Sequence, residues 1–210
     1  MIDNIEVLCH SSIKFSKEKI IYFDPFKIDQ NYKDADLIFI THSHYDHFSE
    51  EDILRVKKNS TKIIITSDLK EKTIDLGFDE NDIIVVLPNQ ELEVDNIKIN
   101  TIPAYNTNKQ FHPKENNWVG YIIELDSIKY YIAGDTDVTD DNMNITCDVT
   151  FVPVGGTFTM TYSEAANLVN HIKPKIAIPT HYGSIVGDKE DGNKFIDLLS
   201  DDIDGRILLK

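Results

Sequence analysis

The sequence predicts a mixed α and β (α+β) fold in which sheets are covered by helices, and three features of the 210-residue chain support this prediction. Short apolar runs rich in β-branched residues recur throughout, each bounded by polar residues, glycine or proline. Stretches with helical periodicity interrupt these runs. Some runs, such as IIIT and IIVV, are continuously apolar, which indicates strands buried on both faces. Two packed sheets flanked by helices would satisfy all three features.

The individual elements follow from these patterns in chain order. Strands are predicted at IEVL, KIIYF, DLIFI, KIIIT, DIIVVL, IKINTI, VGYIIEL, IKYYIAG, VTFVPV, KIAIPT and RILL. Helices are predicted at SEEDILRVKK, SDLKEKTIDLG, TYSEAANLVNHIK and GNKFIDLLSDD. The third helix opens with Thr161 and Glu164 at the spacing of a capping box, and Pro174 marks its end.

Length and composition indicate one globular domain over residues 1–210. The formal net charge of -15 repels polyanions and argues against a nucleic-acid-binding surface. Cys9 and Cys147 form no CxxC pair, so neither a disulfide framework nor a cysteine zinc site is predicted. No apolar run approaches the roughly 18 residues that span a bilayer, and the amino terminus lacks the pattern of a leader. We therefore expect a cytoplasmic protein without membrane contact.

The segment THSHYDH, residues 41–47, follows the apolar strand LIFI and is dense in candidate metal ligands. In an extended backbone His42, His44 and Asp46 tend toward one side, and a following turn would bring His47 nearby. Imidazole and carboxylate groups suit zinc, manganese or iron. A lone histidine is more often a packed or surface residue, but three histidines and an aspartate within six residues predict metal binding.

Two further segments end predicted strands with a candidate ligand. In YYIAGDTD, the small residue before Asp135 lets the backbone approach the centre closely, so that one carboxylate can touch two metals. In IAIPTHYG, another strand end delivers His181. We therefore predict that Asp135 and His181 belong to the same centre as the first segment.

The HxHxDH pattern of residues 42–47 resembles the signature of the metallo-β-lactamase superfamily, and Asp135 and His181 fall where that family requires them. The resemblance implies a four-layer αββα sandwich that holds two divalent transition-metal ions, with Zn²⁺ favoured and Mn²⁺ or Fe²⁺ as alternatives. It implies the following ligands: His42 and His44 for one ion, Asp46, His47 and His181 for the second, and Asp135 between them.

The third ligand of the first ion is the point at which this sequence departs from the family. Much of the family supplies a histidine after a middle strand, whereas PAYNTNKQFH offers Asn106 in that neighbourhood and His112 slightly later. Because histidine is the better ligand for a transition metal, we predict that His112 completes the site. Asn106 would then orient substrate or water. Lys109, in the same loop, could neutralise an anionic substrate group, although such lysines are more often merely solvated.

His10 lies in LCHSS, which resembles the GHSS-like element of the phosphodiesterase and lactonase-like branches, with Cys9 in place of their glycine. Two interpretations stay open for His10. In the first, it lines the substrate pocket or supports a ligand; in the second, its ring lies at a strand end and forms hydrogen bonds with backbone groups only. His171 ends a predicted helix, and Cys147 has no neighbouring base in the sequence, so both are left out of the site.

The resemblance implies a metal-dependent hydrolase in which two metal ions activate a water to hydroxide. Asp46 would orient this hydroxide as well as bind metal. The charge of the ions would outweigh that of the two aspartates, so the predicted substrate is a small ester, lactone or phosphodiester, anionic ones included. The alternative is a non-catalytic metal-binding or regulatory protein on the same fold, but the presence of Asp46 and Asp135 favours catalysis. The sequence does not indicate an oligomeric state.

Overall fold

A computed structural model describes residues 1–209, which group into two compact units. The amino-terminal unit comprises Ile2–Leu87 and Leu209, and the carboxy-terminal unit comprises Met1 and Pro88–Leu208. Each unit is built around its own sheet, with helices between the strands, so the predicted mixed α and β class is confirmed. A single domain over residues 1–210 stays a prediction. Among residues 1–209 no helix is long and apolar enough to cross a membrane.

The amino-terminal unit contains a six-stranded sheet in which the strands follow one another in chain order. The first three strands are antiparallel neighbours, and the remaining pairs are parallel. The strands are β1 (Ile5–Cys9), β2 (Ser12–Ser16), β3 (Ile20–Phe23), β4 (Ala35–Phe39), β5 (Lys57–Thr66) and β6 (Ile83–Val86), and the helices are α1 (Glu50–Val56) and α2 (Lys70–Asp75).

A buried apolar cluster packs α1 against this sheet. Alternate residues of the central strands supply one side of it, because side chains of a strand point to opposite faces. Ile53 and Val56 of α1 supply the other side. Full burial of each such side chain contributes about 1.5 to 3 kcal/mol. Residues 40–49 form the loop between β4 and α1. Because the cluster packs β4 and α1 together, both ends of this loop are held rigidly.

The carboxy-terminal unit contains a seven-stranded sheet in the order β13-β12-β11-β10-β9-β8-β7. Strands β10 to β13 run parallel, and β7 to β10 are antiparallel. The strands are β7 (Glu91–Val94), β8 (Ile97–Pro103), β9 (Val119–Leu125), β10 (Ile128–Ile132), β11 (Val149–Pro153), β12 (Ile176–Thr180) and β13 (Asp204–Gly205), and the helices are α3 (Asp140–Met143), α4 (Tyr162–Ile172) and α5 (Asp191–Asp197). Short 3₁₀ turns occupy Ser67–Leu69 and Glu80–Asp82 in the amino-terminal unit and Lys114–Asn116 in the carboxy-terminal unit.

The strands of each unit end where the predicted site residues begin. In the carboxy-terminal unit β10, β11 and β12 are parallel neighbours, so their carboxyl ends meet at one edge of the sheet. Asp135 follows β10 and His181 follows β12 at this edge. In the amino-terminal unit the segment THSHYDH follows β4 in the same manner.

The capping box predicted for the third helix is confirmed at α4. The Thr161 amide donates to Glu164 Oε2 at 2.8 Å, and the Glu164 amide donates to Thr161 Oγ1 at 3.3 Å. The helix ends at Ile172, and Lys173 adopts a left-handed conformation with φ 49° before Pro174.

Other element predictions were wrong. IIVV is not buried on both faces, because β6 is the edge strand of its sheet and Val85 is 39% exposed. RILL does not form a strand: β13 ends at Gly205, and Leu209 makes only an isolated bridge to Val7. Strands β2 and β7 and helix α3 were missed, because each has only four or five residues and at least half of them are polar.

Candidate metal centre

The segment THSHYDH forms a tight turn after β4. The backbone amides of His47 and Phe48 both donate to the His44 carbonyl, at 3.0 and 2.8 Å. This turn brings His47 back toward the strand end, as the sequence predicted. His42, Asp46 and His47 are buried, whereas Tyr45 is 66% exposed. These three candidate ligands thus face inward, and the aromatic residue among them faces outward.

His42 and His44 bring two imidazole nitrogens together. His42 Nε2 lies 3.0 Å from His44 Nδ1. The other nitrogen of His42, Nδ1, lies 3.0 Å from Thr41 Oγ1. Thr41 therefore helps to fix the orientation of the His42 ring, and His42 presents Nε2 beside His44.

Asp46 lies between two further histidines. Its Oδ2 is 3.5 Å from His47 Nε2 and 3.3 Å from His10 Nε2. His10 lies in the turn between β1 and β2 with φ 56°, a left-handed backbone that is uncommon for a residue other than glycine. The structure thus brings His10 to a candidate ligand, which agrees with the first of its two interpretations.

Asp24 is a site residue that the sequence analysis missed. Its Oδ2 lies 2.7 Å from His47 Nδ1, and it accepts hydrogen bonds from the Thr41 amide at 2.8 Å and the Thr41 hydroxyl at 2.7 Å. Burial raises the pKa of the Asp24 carboxyl, and the nearby His47 partly offsets this increase. An aspartate between the apolar run KIIYF and Pro25, at the end of a buried strand, was the available signal.

In the carboxy-terminal unit, Asp135 lies between His112 and His181. Asp135 Oδ2 is 3.2 Å from His112 Nε2 and 3.0 Å from His181 Nε2. All three side chains are buried. His181 has φ 56°, so its backbone, like that of His10, adopts the left-handed region at the site.

The side-chain amide of Asn106 connects His112 to Phe158. Its Nδ2 donates to the Phe158 carbonyl at 2.9 Å, which fixes the orientation of the amide group. Its Oδ1 accepts from the His112 amide at 3.0 Å and lies 3.1 Å from His112 Nδ1. Because a carbonyl oxygen only accepts, His112 Nδ1 carries a proton, and in the neutral ring Nε2 then keeps its lone pair. This geometry favours His112 over Asn106 as the ligand.

Lys109 pairs with a carboxylate outside the proposed ligand set. Its ammonium pairs with Asp137, a buried aspartate whose Oδ2 also accepts from the Thr107 amide at 2.9 Å. Much of the Lys109 charge is therefore already balanced by Asp137, which lies in the loop between β10 and α3. The assignment of Lys109 to an anionic substrate group stays a prediction.

The donor set fits divalent transition-metal ions. Ligand atoms that each lie about 2.0–2.2 Å from an ion in tetrahedral or octahedral geometry are about 3.0–3.5 Å from one another. The separations within each unit, 3.0 Å for His42–His44, 3.5 Å for Asp46–His47 and 3.0 Å for Asp135–His181, lie in this range. His47 and His112 also each have an acceptor at Nδ1, the usual arrangement behind a histidine that binds metal through Nε2.

Cys147 takes no part in this arrangement. The thiol is buried, and burial together with the neighbouring Asp148 raises its pKa to about 12. A thiol that stays protonated at neutral pH is neither a nucleophile nor a metal ligand. This agrees with its exclusion on sequence grounds.

Comparisons with known proteins agree with the fold. The model of the beta-lactamase superfamily domain matches residues 4–181. A UPF0173 metal-dependent hydrolase from Thermococcus onnurineus is 31% identical over 208 residues, which is 91% of this chain and 91% of the relative.

Solved structures show the same similarity. A crystal structure from Parabacteroides distasonis, described as a candidate metal-dependent hydrolase, is 33% identical with a TM-score of 0.85, over 98% of this chain and 93% of that one. The metallo-beta-lactamase fold protein YhfI from Bacillus subtilis is 13% identical with a TM-score of 0.72, over 95% and 88% of the two chains, and this likeness bears on the fold alone. The chain therefore belongs to the metallo-β-lactamase superfamily and, within it, to the family of UPF0173 metal-dependent hydrolases.

Proposed function

We propose that this protein is a hydrolase that uses two divalent transition-metal ions, with Zn²⁺ as the first candidate, to cleave a small ester, lactone or phosphodiester. The proposal assigns the ions to ligands from both units because the family match extends over both of them. The proposed ligands are His42, His44, Asp46, His47, His112, Asp135 and His181.

The observation that carries this proposal is the position of Asp135. One carboxylate oxygen lies 3.2 Å and 3.0 Å from the Nε2 atoms of His112 and His181. When His112 is neutral and its Nδ1 donates to Asn106 Oδ1, its Nε2 bears no proton, so a hydrogen bond from neutral His112 does not explain the first contact. A cation between these atoms would explain it, and a carboxylate that two ions share would suit a dinuclear hydrolase.

Asp46 is the proposed catalytic residue. When bound, divalent ions lower the pKa of a coordinated water toward about 7 and polarise the carbonyl or phosphoryl oxygen of the substrate. The carboxylate of Asp46 can orient the attacking water and accept its proton. His10, 3.3 Å from Asp46 Oδ2, would hold that carboxylate in place and line the substrate pocket.

The charge of the protein restricts its substrates. A net charge of -15 disfavours long nucleic acids, whose phosphates would be repelled over the whole surface. A small anion is not excluded in this way, because nearby metal ions act on it more strongly than distant, screened carboxylates. We therefore propose a small-molecule substrate, with no nucleic acid or membrane partner.

The experiment is metal analysis of the purified full chain paired with hydrolysis assays. Metal content would be measured before chelation and after reconstitution, and each sample would be assayed on ester, lactone and phosphodiester panels. About two ions per chain with hydrolysis that is lost and restored would support the proposal. Asp135→Asn should lower both metal content and activity, whereas Asp148→Asn, a surface aspartate of the same unit, should change neither.

Two outcomes would contradict the proposal in different ways. Specific metal binding without hydrolysis across the panels would favour the non-catalytic metal-binding alternative. Absence of specific metal uptake under reconstituting conditions would overturn the metal centre itself.

A further inference from the structure

An exposed aromatic ring lies directly beside the candidate ligand His112. Phe111 precedes this buried histidine in the chain and is 46% exposed. Its ring packs edge-on against that of Phe158, with 4.7 Å between the centroids and an interplanar angle of 85°. An exposed phenylalanine leaves apolar surface in water, and a substrate group that covered it would gain free energy from burial.

The Asn106 amide links Phe158 to the candidate ligand His112, and Phe111 packs on Phe158. Asn106 Nδ2 donates to the Phe158 carbonyl at 2.9 Å, while Asn106 Oδ1 lies 3.1 Å from His112 Nδ1. The Asn106 side chain therefore connects the backbone of Phe158 to the His112 ring.

The segment that carries Phe158 is itself held tightly. The Gly156 amide donates to the Met160 carbonyl at 2.9 Å, which closes a turn around Phe158. The Met160 amide donates to the Thr136 carbonyl at 3.2 Å, next to Asp135. Because the pair is fixed to two ligand-bearing segments, a group that contacts it would lose little affinity to ordering the loop.

The ligand segment of the amino-terminal unit has a comparable feature. Tyr45, between His44 and Asp46, is 66% exposed, and its ring lies edge-on to Phe26 at 6.1 Å. In both units, therefore, an exposed aromatic residue adjoins a proposed ligand and packs on a second ring.

From these contacts we propose that Phe111 and Phe158 form an apolar subsite for a substrate that carries a phenyl-sized aromatic or alkyl group next to the bond that is cleaved. This rests on the proposed function and narrows its substrate class. The occupant is a small molecule rather than a protein, because two rings offer far less surface than the roughly 800 Å² per partner of a stable protein interface.

The test measures binding rather than turnover. Trp118 is the only tryptophan of the chain, and its ring lies 5.7 Å from that of His112, so its fluorescence reports on ligands that bind there. The metal-reconstituted full chain would be titrated with acetohydroxamate and with phenylacetohydroxamate, which share a metal-binding group and differ by a phenyl ring. We expect the phenyl compound to bind about tenfold more tightly, the gain from burying one ring face.

Variants separate the subsite from general effects. Phe111→Ala should abolish the tenfold preference, and Phe111→Leu should keep most of it. Leu198→Ala is the matched control, because Leu198 is 47% exposed in the same unit but follows α5, away from the ligand loops. The metal content of each variant would be measured to establish that His112 still binds.

The outcomes distinguish this inference from the function on which it rests. If both hydroxamates bind equally to the wild-type protein, or if Phe111→Ala keeps the preference, the subsite is wrong while the metal hydrolase stands. If neither compound binds the reconstituted protein, the metal centre is wrong and the subsite fails with it. A preference that only Phe111→Ala removes supports the subsite whether or not a hydrolysed substrate is known.

Discussion

Asp24 Oδ2 lies 2.7 Å from His47 Nδ1, and both side chains are buried. The same carboxylate accepts two hydrogen bonds from Thr41, so both ends of the segment THSHYDH meet at one buried group. A carboxylate at this position keeps the proton of His47 on Nδ1, and Nε2 is then available to a metal ion.

Asp24→Asn is expected to weaken metal binding about 10- to 100-fold, the range seen when the partner behind a metal-binding histidine is lost. The amide can present its NH₂ group to His47 Nδ1, which would shift the proton to Nε2 and block the ligand atom. Metal affinity would be measured by competition with a chromophoric chelator. Asp36→Asn, at a partly exposed aspartate paired with Lys58 in the same unit, should bind metal like the wild type. Equal affinities for the two variants would contradict the role assigned to Asp24.

The segment around His47 also shows what the sequence could predict. HxHxDH is a local pattern, so its candidate ligands can be predicted from spacing alone, and the apolar run LIFI precedes it. Asp24 is 23 residues away from His47. Only the parallel pairing of β3 with β4 brings the two together, and no spacing rule records that pairing.

The same limit applies to the middle loop. The sequence offered Asn106 and His112 as alternatives, since both follow β8 and both carry a nitrogen or oxygen ligand. The structure gives them complementary roles, because the Asn106 amide closes the loop onto His112. Loop closure of this kind depends on the hydrogen bond to Phe158, which is 52 residues away in the chain.

Asn106→Ala should therefore reduce metal affinity by about tenfold or more, although Asn106 is not among the proposed ligands. Without the acceptor, His112 loses the partner that keeps its proton on Nδ1, and the loop loses its attachment to Phe158. Isothermal titration of the metal-free protein with Zn²⁺ would measure the effect. Asn193→Ala, at an exposed asparagine bonded only to Glu190 among the described contacts, is the control. An Asn106→Ala protein that binds zinc like this control would show that His112 does not need the amide.

Cys147 should resist thiol reagents in the folded protein. Its pKa is raised to about 12, so at pH 8 only about one thiol in ten thousand is ionised. Labelling with a maleimide at pH 8, followed by peptide mass analysis, should modify Cys147 only after denaturant is added. Cys9, which is partly exposed, provides the internal comparison within each sample. Labelling of Cys147 at the same rate in the folded and unfolded chain would show that the thiol is not shielded.

Asp148 gives a prediction for the dependence of stability on pH that does not involve the metal site. The Lys129 amide and the Lys175 ammonium hydrogen-bond to its carboxylate and lower its pKa below the usual value. A carboxyl whose pKa is lower in the folded state stabilises the fold at pH values above the unfolded pKa of about 3.9, and this contribution is lost as the pH falls through the folded value. Asp148→Asn should therefore lower the free energy of unfolding at pH 7 by a few tenths of a kcal/mol, the usual size for a solvent-screened surface pair.

The comparison that decides this prediction is the wild type against Asp148→Asn in urea titrations from pH 7 down to pH 2.5. The difference in unfolding free energy should be present at pH 7 and should shrink as the pH falls below about 4, because the wild-type carboxyl then becomes neutral like the amide. Asp197→Asn, at the end of α5, controls for the loss of one negative charge from an acidic protein. A difference between wild type and Asp148→Asn that stays constant across the whole pH range would mean that the carboxylate charge is not what Lys129 and Lys175 stabilise.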